Sequence, residues 1–377
     1  MDLNLTQEQQ LIRDAARDFL ARECPGAHVR AMENDAQGYS PALWQSMAEL
    51  GWMGLALPEE YGGVGSGFLE LCLLLEEHGR YRVPSPFLAT VVLCALPIAA
   101  FGKARQRSAI LPAIAAGKQV LSYAECEANA DWEASAISLT ATARGADYVL
   151  SGEKLFVPYA AAAHTLLVAS RTGGKGSNGI TLFLVDTASQ GIACESMHTV
   201  ARDHQDRVIF RGVRVPRTHV LGKAGQGWRI VEAIRRWGAA ARCAEMIGGA
   251  GRVLDMTIEY ANMREQFGRP IGSFQAIQHH CADMAVDVLG ARFIAYEAIW
   301  RLSERLDASA EVSMAKAWVS DACQRVCALA HQVHGAIGFT QEHDLQLYSR
   351  AAEAASASFG DADLHREKIA ERLGLFS

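Results

Sequence analysis

The chain has 377 residues, half of them hydrophobic, with 33 Gly, 10 Pro and a formal net charge of −6. That length and apolar content supply a large core and admit two or three domain-sized units. No basic footprint points to nucleic acid or an anionic membrane, and no apolar run reaches the roughly 18–20 residues that span a bilayer.

The opening stretch "MDLNLTQEQQLIRDAARDFLAREC" is polar and amphipathic, unlike a signal peptide. Thr6 is the expected N-cap of a first helix, with Leu11, Ile12, Ala15, Phe19 and Leu20 as its apolar stripe. Ser40, Pro41 and Gly51 bracket a second helix as N-cap, first helical residue and C-cap. "PEEYGGVGSG" reads as a loop, because its four glycines break any element, and "FLELCLLLEEHGR" returns to a buried helix. From about Val120 to Val220 the hydrophobic period changes to two. "ISLTATARGADYVLSGEKLFV" holds two strands about a "RGAD" turn, and "HTLLVASRT", "GITLFLVDT" and "DRVIFRGVRV" follow as further strands. Helical spacing resumes at Trp228, with Val253, Met256, Ile258, Tyr260 and Met263 as apolar positions of one long helix. Two more long helices, within 271–306 and 309–335, predict a bundle. The expected fold is α+β and multidomain, with divisions at 1–118, 119–223 and 224–377.

Nine cysteines are scattered, and only Cys323 and Cys327 lie close, at helix spacing. An odd count without a framework reads as reduced thiols in a cytoplasmic protein, and no metal site is expected. His279 and His280 are adjacent on a helix and point apart. Trp300 and Trp318 fall at helical positions that read as core. "RTGGKGSNG" lacks the Lys-Ser/Thr ending of a phosphate loop and reads as a hairpin turn.

Two segments carry ligand-binding chemistry. In "MREQFGRPIGSFQAIQHHCADM", Arg264 sits near a helix end, a turn holds Gly268, Pro270 and Gly272, and Gln275 opens the next helix. Such a turn can present a guanidinium and amides to a phosphate, or it is an ordinary helix–turn–helix with a surface arginine. In "HQVHGAIGFT", Gly335 and Gly338 end a long helix and let backbone approach a ligand, or serve as a plain C-cap.

Together these segments resemble the acyl-CoA dehydrogenase family. The resemblance extends to "ELGWMGLALPEEYGGVG", "GEKLFV" and "AGQGW" and spans essentially the whole chain. It implies an N-terminal helical domain, a middle β-barrel and a C-terminal four-helix bundle, assembled as a dimer-of-dimers tetramer. It implies FAD as cofactor and an acyl-CoA thioester as substrate, with a glutamate taking the alpha proton and the beta hydrogen leaving as hydride. By resemblance, Arg264, Gln266, Phe267 and Gln275 would contact the diphosphate and adenine region. Gln332, Val333, Gly335 and Ala336 would line the adenosine path of a partner's FAD.

The chain departs from the family pattern at the chemistry itself. The segment "YAECEANADWEAS" stands where relatives carry a Thr-Glu-Pro-Gly-Ala-Gly-Ser-Asp-like stretch that meets the flavin ring and substrate. Tyr123 is retained in type, but Cys126 replaces a Thr and Trp132 a Ser, so an indole fills ligand space. Phe156 can still stack beside the ring, whereas Pro158 has lost a hydroxyl and an N–H. The usual Glu-Gly base pair falls on Phe359-Gly360, and a second family base position falls on Gly238. Neither carries an acid, and Glu245, about two turns beyond Gly238, is the nearest substitute base.

Three readings follow. One is a subunit of a heteromer whose other, glutamate-bearing member completes the site, as in a bacterial branch acting on bulky or steroid-side-chain acyl-CoAs. Another is a self-sufficient homotetrameric dehydrogenase with a relocated base. A third is a flavin monooxygenase of the same fold. In "SASFGDADLHRE", the alternation of Asp361, Asp363 and His365 suggests a metal site only if the segment is a strand. As a helix start, Gly360 is the break and Asp361 the cap.

Overall fold

The computed structural model describes residues 5–129 and 131–375. In chain order the helices are α1 (Gln7–Glu23), α2 (Gly26–Met32), α3 (Pro41–Glu49), α4 (Phe68–Arg80), α5 (Leu96–Phe101) and α6 (Ala104–Ala115). The strands follow: β1 (Leu121–Ala124), β2 (Thr140–Arg144), β3 (Asp147–Pro158), β4 (Thr165–Arg171), β5 (Ile180–Asp186), β6 (Ile192–Met197), β7 (Gln205–Pro216) and β8 (Val220–Leu221). Then come α7 (Trp228–Met263), α8 (Gln275–Ser303), α9 (Ser309–His334), α10 (Leu345–Ala357) and α11 (Ala362–Arg372). The chain divides into two compact units, one of Met1–Arg30, Phe68–Val83 and Ala239–Ser377, the other of Ala31–Gly67 and Pro84–Gly238.

The first unit is helical. Thr6 caps α1, its hydroxyl accepting from Gln9 N while the Gln9 side chain returns to Thr6 N. The face of α1 that is buried is narrower than its apolar pattern predicts: Ala16 and Leu20 are buried, while Leu11 is 64% exposed and Ala15 is also exposed. Polar bonds flank the seam against α4, Gln9 to Glu70 at 2.7 Å and Arg17 to Glu77 at 2.7 Å. α4 is buried as its apolar run predicts, and its inward carboxylates are partnered. Arg292 and the Tyr296 hydroxyl both donate to Glu76 at 2.6 Å. Where α4 meets α7 the backbones nearly touch. A Cβ on Gly79 would stand 1.8 Å from Glu245 O, and one on Gly248 would stand 1.7 Å from Glu76 O. Long helices α8 and α9 pack side by side, with α10 and α11 laid on α9. Trp318 of α9 is not core: it is 46% exposed, with the Arg325 guanidinium 5.6 Å over its ring. Ile258 and Met263 of α7 are also exposed.

The second unit is built on one eight-stranded sheet ordered β6-β7-β3-β2-β4-β5-β8, with β1 parallel beside β4. β2 and β3 form the expected hairpin about the turn at Gly145. The short or half-exposed strands β1, β6 and β8 show too little alternation to stand out in the sequence. α3 is capped by Ser40 with Pro41 at its first position, and Gly51 follows in the left-handed region. The glycine-rich loop after it holds a single turn of 3-10 helix, Glu59–Tyr61, closed by left-handed Gly62.

Candidate functional site

Among the described residues, seven non-glycine residues have positive φ, and four of these are aromatic: Phe156, Tyr159, Phe267 and Phe359, at 52–60°. A bulky side chain in this region costs of order 1–3 kcal/mol and persists only where the surroundings enforce it. Three of the four are sequence candidates, so backbone strain collects where the motifs placed the site.

In the sheet unit, the enforcing feature is a bulge. The β3–β7 register shifts between Lys154 and Val157, leaving Leu155 and Phe156 outside the ladder. Phe156 turns out half-exposed, its N–H meeting Met197 Sδ at 3.5 Å. Leu155 N donates to Cys126 O at 2.9 Å, and Lys154 Nζ donates to Glu125 O at 2.8 Å and to Glu127 at 2.7 Å. Thus Cys126 and Phe156, 30 positions apart in sequence, are tied together by the two residues before the phenylalanine. Lys154 is fully buried, and burial pulls its amine down despite the Glu127 charge. Burial works to raise Glu127, but Lys154 and Ser138 hold it below its ordinary value. Burial pushes the Cys126 thiol up, and the thiol points back to Glu127 O at 3.6 Å, so it is no nucleophile. Tyr123 is buried on β1, its hydroxyl pushed well up by burial. Pro158 ends β3 with its carbonyl accepting from Ser122. Gly238 is buried within α7.

Arg235 of α7, which sequence reasoning passed over, closes the same loop. Its Nε donates to Glu125 at 2.6 Å, a terminal nitrogen donates to Trp132 O, and its guanidinium lies 5.3 Å from the Trp132 ring and 4.7 Å from that of Trp228. The spacing Trp228 to Arg235, two helical turns, was the available signal.

In the helical unit the turn of Phe359 is framed by a buried lysine and a buried histidine. Lys316 Nζ donates to Ser356 O at 2.7 Å, to Gly360 O at 3.0 Å and to Ser320 Oγ at 3.0 Å. His365 Nε2 meets Phe359 O at 3.1 Å and its Nδ1 meets Ser313 Oγ at 3.1 Å. Burial pulls Lys316 down to about 8 and, with Lys368 and Lys316 adding, His365 to about 4. Asp361 caps α11 through Leu364 N, and Asp363 pairs with Arg366 at 2.8 Å. The three alternating groups of this segment therefore do separate jobs. Among the described residues no cluster of His, Cys, Asp and Glu forms that could hold a metal. Glu245 is bound by Arg242 at 2.6 Å, and burial raises its carboxyl.

The same unit presents open donors. α7 ends at Met263, and Arg264 follows, exposed and without an ion pair among the described residues. A two-residue hairpin pairs Glu265–Gln266 with Arg269–Pro270 and puts Phe267 at its tip, 92% exposed. Gln275 opens α8, exposed. At the end of α9, Gln332 is exposed, Val333 buried, and Gly335, φ 64°, turns the chain with open space around it, followed by exposed Ala336. Tyr260 stacks on His334 at 4.6 Å, which sets the α7 end beside the α9 turn. A free guanidinium, amides, an exposed aromatic and an unobstructed glycine turn fit the diphosphate and adenine of a dinucleotide. His279 is exposed and His280 half-buried, as divergent neighbours.

Three family models match in order: acyl-CoA dehydrogenase N-terminal domain at 6–118, middle domain at 122–213 and C-terminal domain at 225–374. The probable acyl-CoA dehydrogenase YngJ of Bacillus subtilis is 31% identical over 99% of this chain and 100% of its own. Butyryl-CoA dehydrogenase from Megasphaera elsdenii superposes with a TM-score of 0.93 at 29% identity, covering 99% of this chain and 100% of that one. A chain of the ChsE4–ChsE5 complex from Mycobacterium tuberculosis superposes at 0.91 with 28% identity and full coverage of both. No helix among the described residues is long and apolar enough to cross a membrane.

Proposed function

The chain belongs to the acyl-CoA dehydrogenase family of FAD flavoproteins, oxidoreductases acting on CH–CH bonds, and from that premise we propose that it works as one subunit of a heteromer whose other member supplies the catalytic glutamate. The observation that carries this reading is the turn at Phe359. Lys316 and His365 hold it in a strained left-handed conformation, yet the residue on it cannot take a proton. A chain that acted alone would need a free carboxylate at that turn, but Asp361 caps α11, Asp363 pairs with Arg366 and Glu245 is engaged by Arg242.

Bound FAD supplies the hydride acceptor. In this reading Arg264, Gln266, Phe267 and Gln275 hold its diphosphate and adenine side, and Gln332, Val333, Gly335 and Ala336 line the adenosine path across a subunit pair. The ring side is poorer, because Cys126, Phe156 and Pro158 offer few donors. The partner is a homologous chain with the glutamate intact, in a tetramer of two such pairs, and the substrate is a bulky acyl-CoA thioester. The named assembly ChsE4–ChsE5 supports a two-protein arrangement on this fold. The divisions at 1–118, 119–223 and 224–377 are the proposed domains. Nine free thiols support a cytoplasmic setting.

Flavin content and acyl-CoA-dependent bleaching test the reading. The chain purified alone should carry little FAD and show no bleaching, and co-expression with a glutamate-bearing family member should restore both. A fully loaded lone chain that dehydrogenates acyl-CoA would sink it.

A further inference from the structure

The end of α4 is closed by a motif whose left-handed position usually holds a glycine. Val83 N donates to His78 O at 3.0 Å and Arg82 N donates to Gly79 O at 3.2 Å, the two bonds of a Schellman cap. The residue at the left-handed position is Arg82, φ 52°. Glycine or asparagine takes that conformation with less strain, so the cap itself does not call for an arginine. Nor does the fold satisfy the side chain. Among the described residues the half-buried Arg82 side chain makes no hydrogen bond or ion pair, and its Nε is buried without a partner.

Arg82 lines a cavity of about 130 Å³ within the helical unit, where the ends of α1 and α4 meet α2, α7 and α10. The other charged residues on its wall are already paired, Asp344 with Arg30, and Arg252 with Glu259 at 3.0 Å. The remaining polar wall groups do not neutralise Arg82. Burial pushes the Cys24 thiol up to about 12 despite the nearby guanidinium, and it pushes the Tyr348 phenol up as well. The Tyr348 hydroxyl already donates to Arg80 O at 2.7 Å. The cavity is therefore lined by two arginines, one of them without a counter-ion, and by one carboxylate that is already bound. A partly buried guanidinium with no acceptor is costly to the fold, and a small oxyanion is the ligand its planar fork matches. The volume suits an inorganic phosphate or a short carboxylate and is too small for a nucleotide or an acyl-CoA.

We propose that this cavity binds a small oxyanion, of the phosphate or carboxylate class, held by Arg82 with Arg252 beside it. The site uses none of the residues assigned to FAD and is independent of the heteromeric reading.

Thermal melting of the full chain, titrated with inorganic phosphate against chloride at constant ionic strength, reads the site. The melting temperature should rise by at least about 2 °C and saturate in the millimolar range. A rise that never saturates is a general salt effect and overturns the proposal. Arg82→Asn keeps a residue that tolerates the left-handed cap and removes the cation. It should melt no earlier than wild type in chloride and lose the phosphate shift. A cooperative melt that keeps the shift overturns the site. If Arg82→Asn and Arg82→Gly both melt well below wild type in chloride, the arginine serves the cap and the proposal falls. Arg82→Lys should need roughly 3- to 10-fold more phosphate for half the shift, because the charge remains and the fork is lost. Arg264→Ala should keep the shift whole, and its loss there would place the anion at the exposed turn instead. Acetate in the same titration separates the two classes. A shift equal to that of phosphate assigns a carboxylate, a shift with phosphate alone assigns a phosphate, and no shift with either overturns the site.

Discussion

The Phe359 turn is a single strained residue held in a frame of buried polar groups. A phenylalanine at φ 60° is costly, and the chain offsets it with a buried ammonium and a buried imidazole. The imidazole makes the turn acid-sensitive. His365 titrates at about 4 when folded, against an ordinary value near 6.5. As pH falls below 6.5 the unfolded chain binds the proton first, so the stability is full above 6.5 and drains away toward pH 4. That interval corresponds to about 3 kcal/mol. Urea melts of wild type and His365→Gln at pH 7 and pH 4 should show wild type losing about 3 kcal/mol more than the variant. Equal losses would mean His365 does not titrate in this window. Lys316→Met should cost about 2–4 kcal/mol at pH 7, since it strips donors from two buried carbonyls and a serine, measured by the same melts.

Among elements, the crossing of α4 and α7 and the tie between loop and bulge set the geometry. Gly79 and Gly248 permit a contact that no side chain could share, because each added Cβ would meet a carbonyl oxygen rather than a movable side chain. Gly79→Ala and Gly248→Ala should each destabilise by about 2–4 kcal/mol, with the helices forced apart. Lys154→Met should cost about 3–5 kcal/mol by leaving Glu127 buried without its cation, and adding Glu127→Gln should recover part of that loss. Additive effects in that cycle would deny the pair its role. The helices themselves were legible, because Thr6, Ser40 and Asp361 announce caps and the period of the apolar residues switches cleanly at the sheet. Which face of a helix is buried was less so. Leu11 and Trp318 sit at apolar helical positions yet are exposed, because burial depends on which neighbour arrives and periodicity alone does not say which face will be met. The bulge at Phe156 and the role of Lys154 were not legible, since a left-handed aromatic leaves no compositional mark and a buried lysine looks like a surface one in a strand.

For the whole molecule, the helix–sheet–helix order follows from hydrophobic period alone, whereas the site could be read only through resemblance, because its groups lie far apart in sequence. The heteromeric proposal divides the labour of one reaction between two chains, and that division is measurable. In a reconstituted complex with a glutamate-bearing partner, Arg264→Ala in this chain would remove the charge-assisted contact to phosphate proposed for it. It should weaken FAD retention roughly 10- to 100-fold, read by flavin release on dilution. Proton abstraction should be untouched by the same substitution once FAD is in excess. Phe359→Ala should leave turnover within about threefold, because a side chain without a titratable group contributes no acid–base chemistry, whereas removing the partner's glutamate should cost about 10²–10⁴-fold. If Phe359→Ala instead costs as much as losing that glutamate, this turn faces the reacting carbon of its own active site, and the two chains do not share the chemistry in the way proposed.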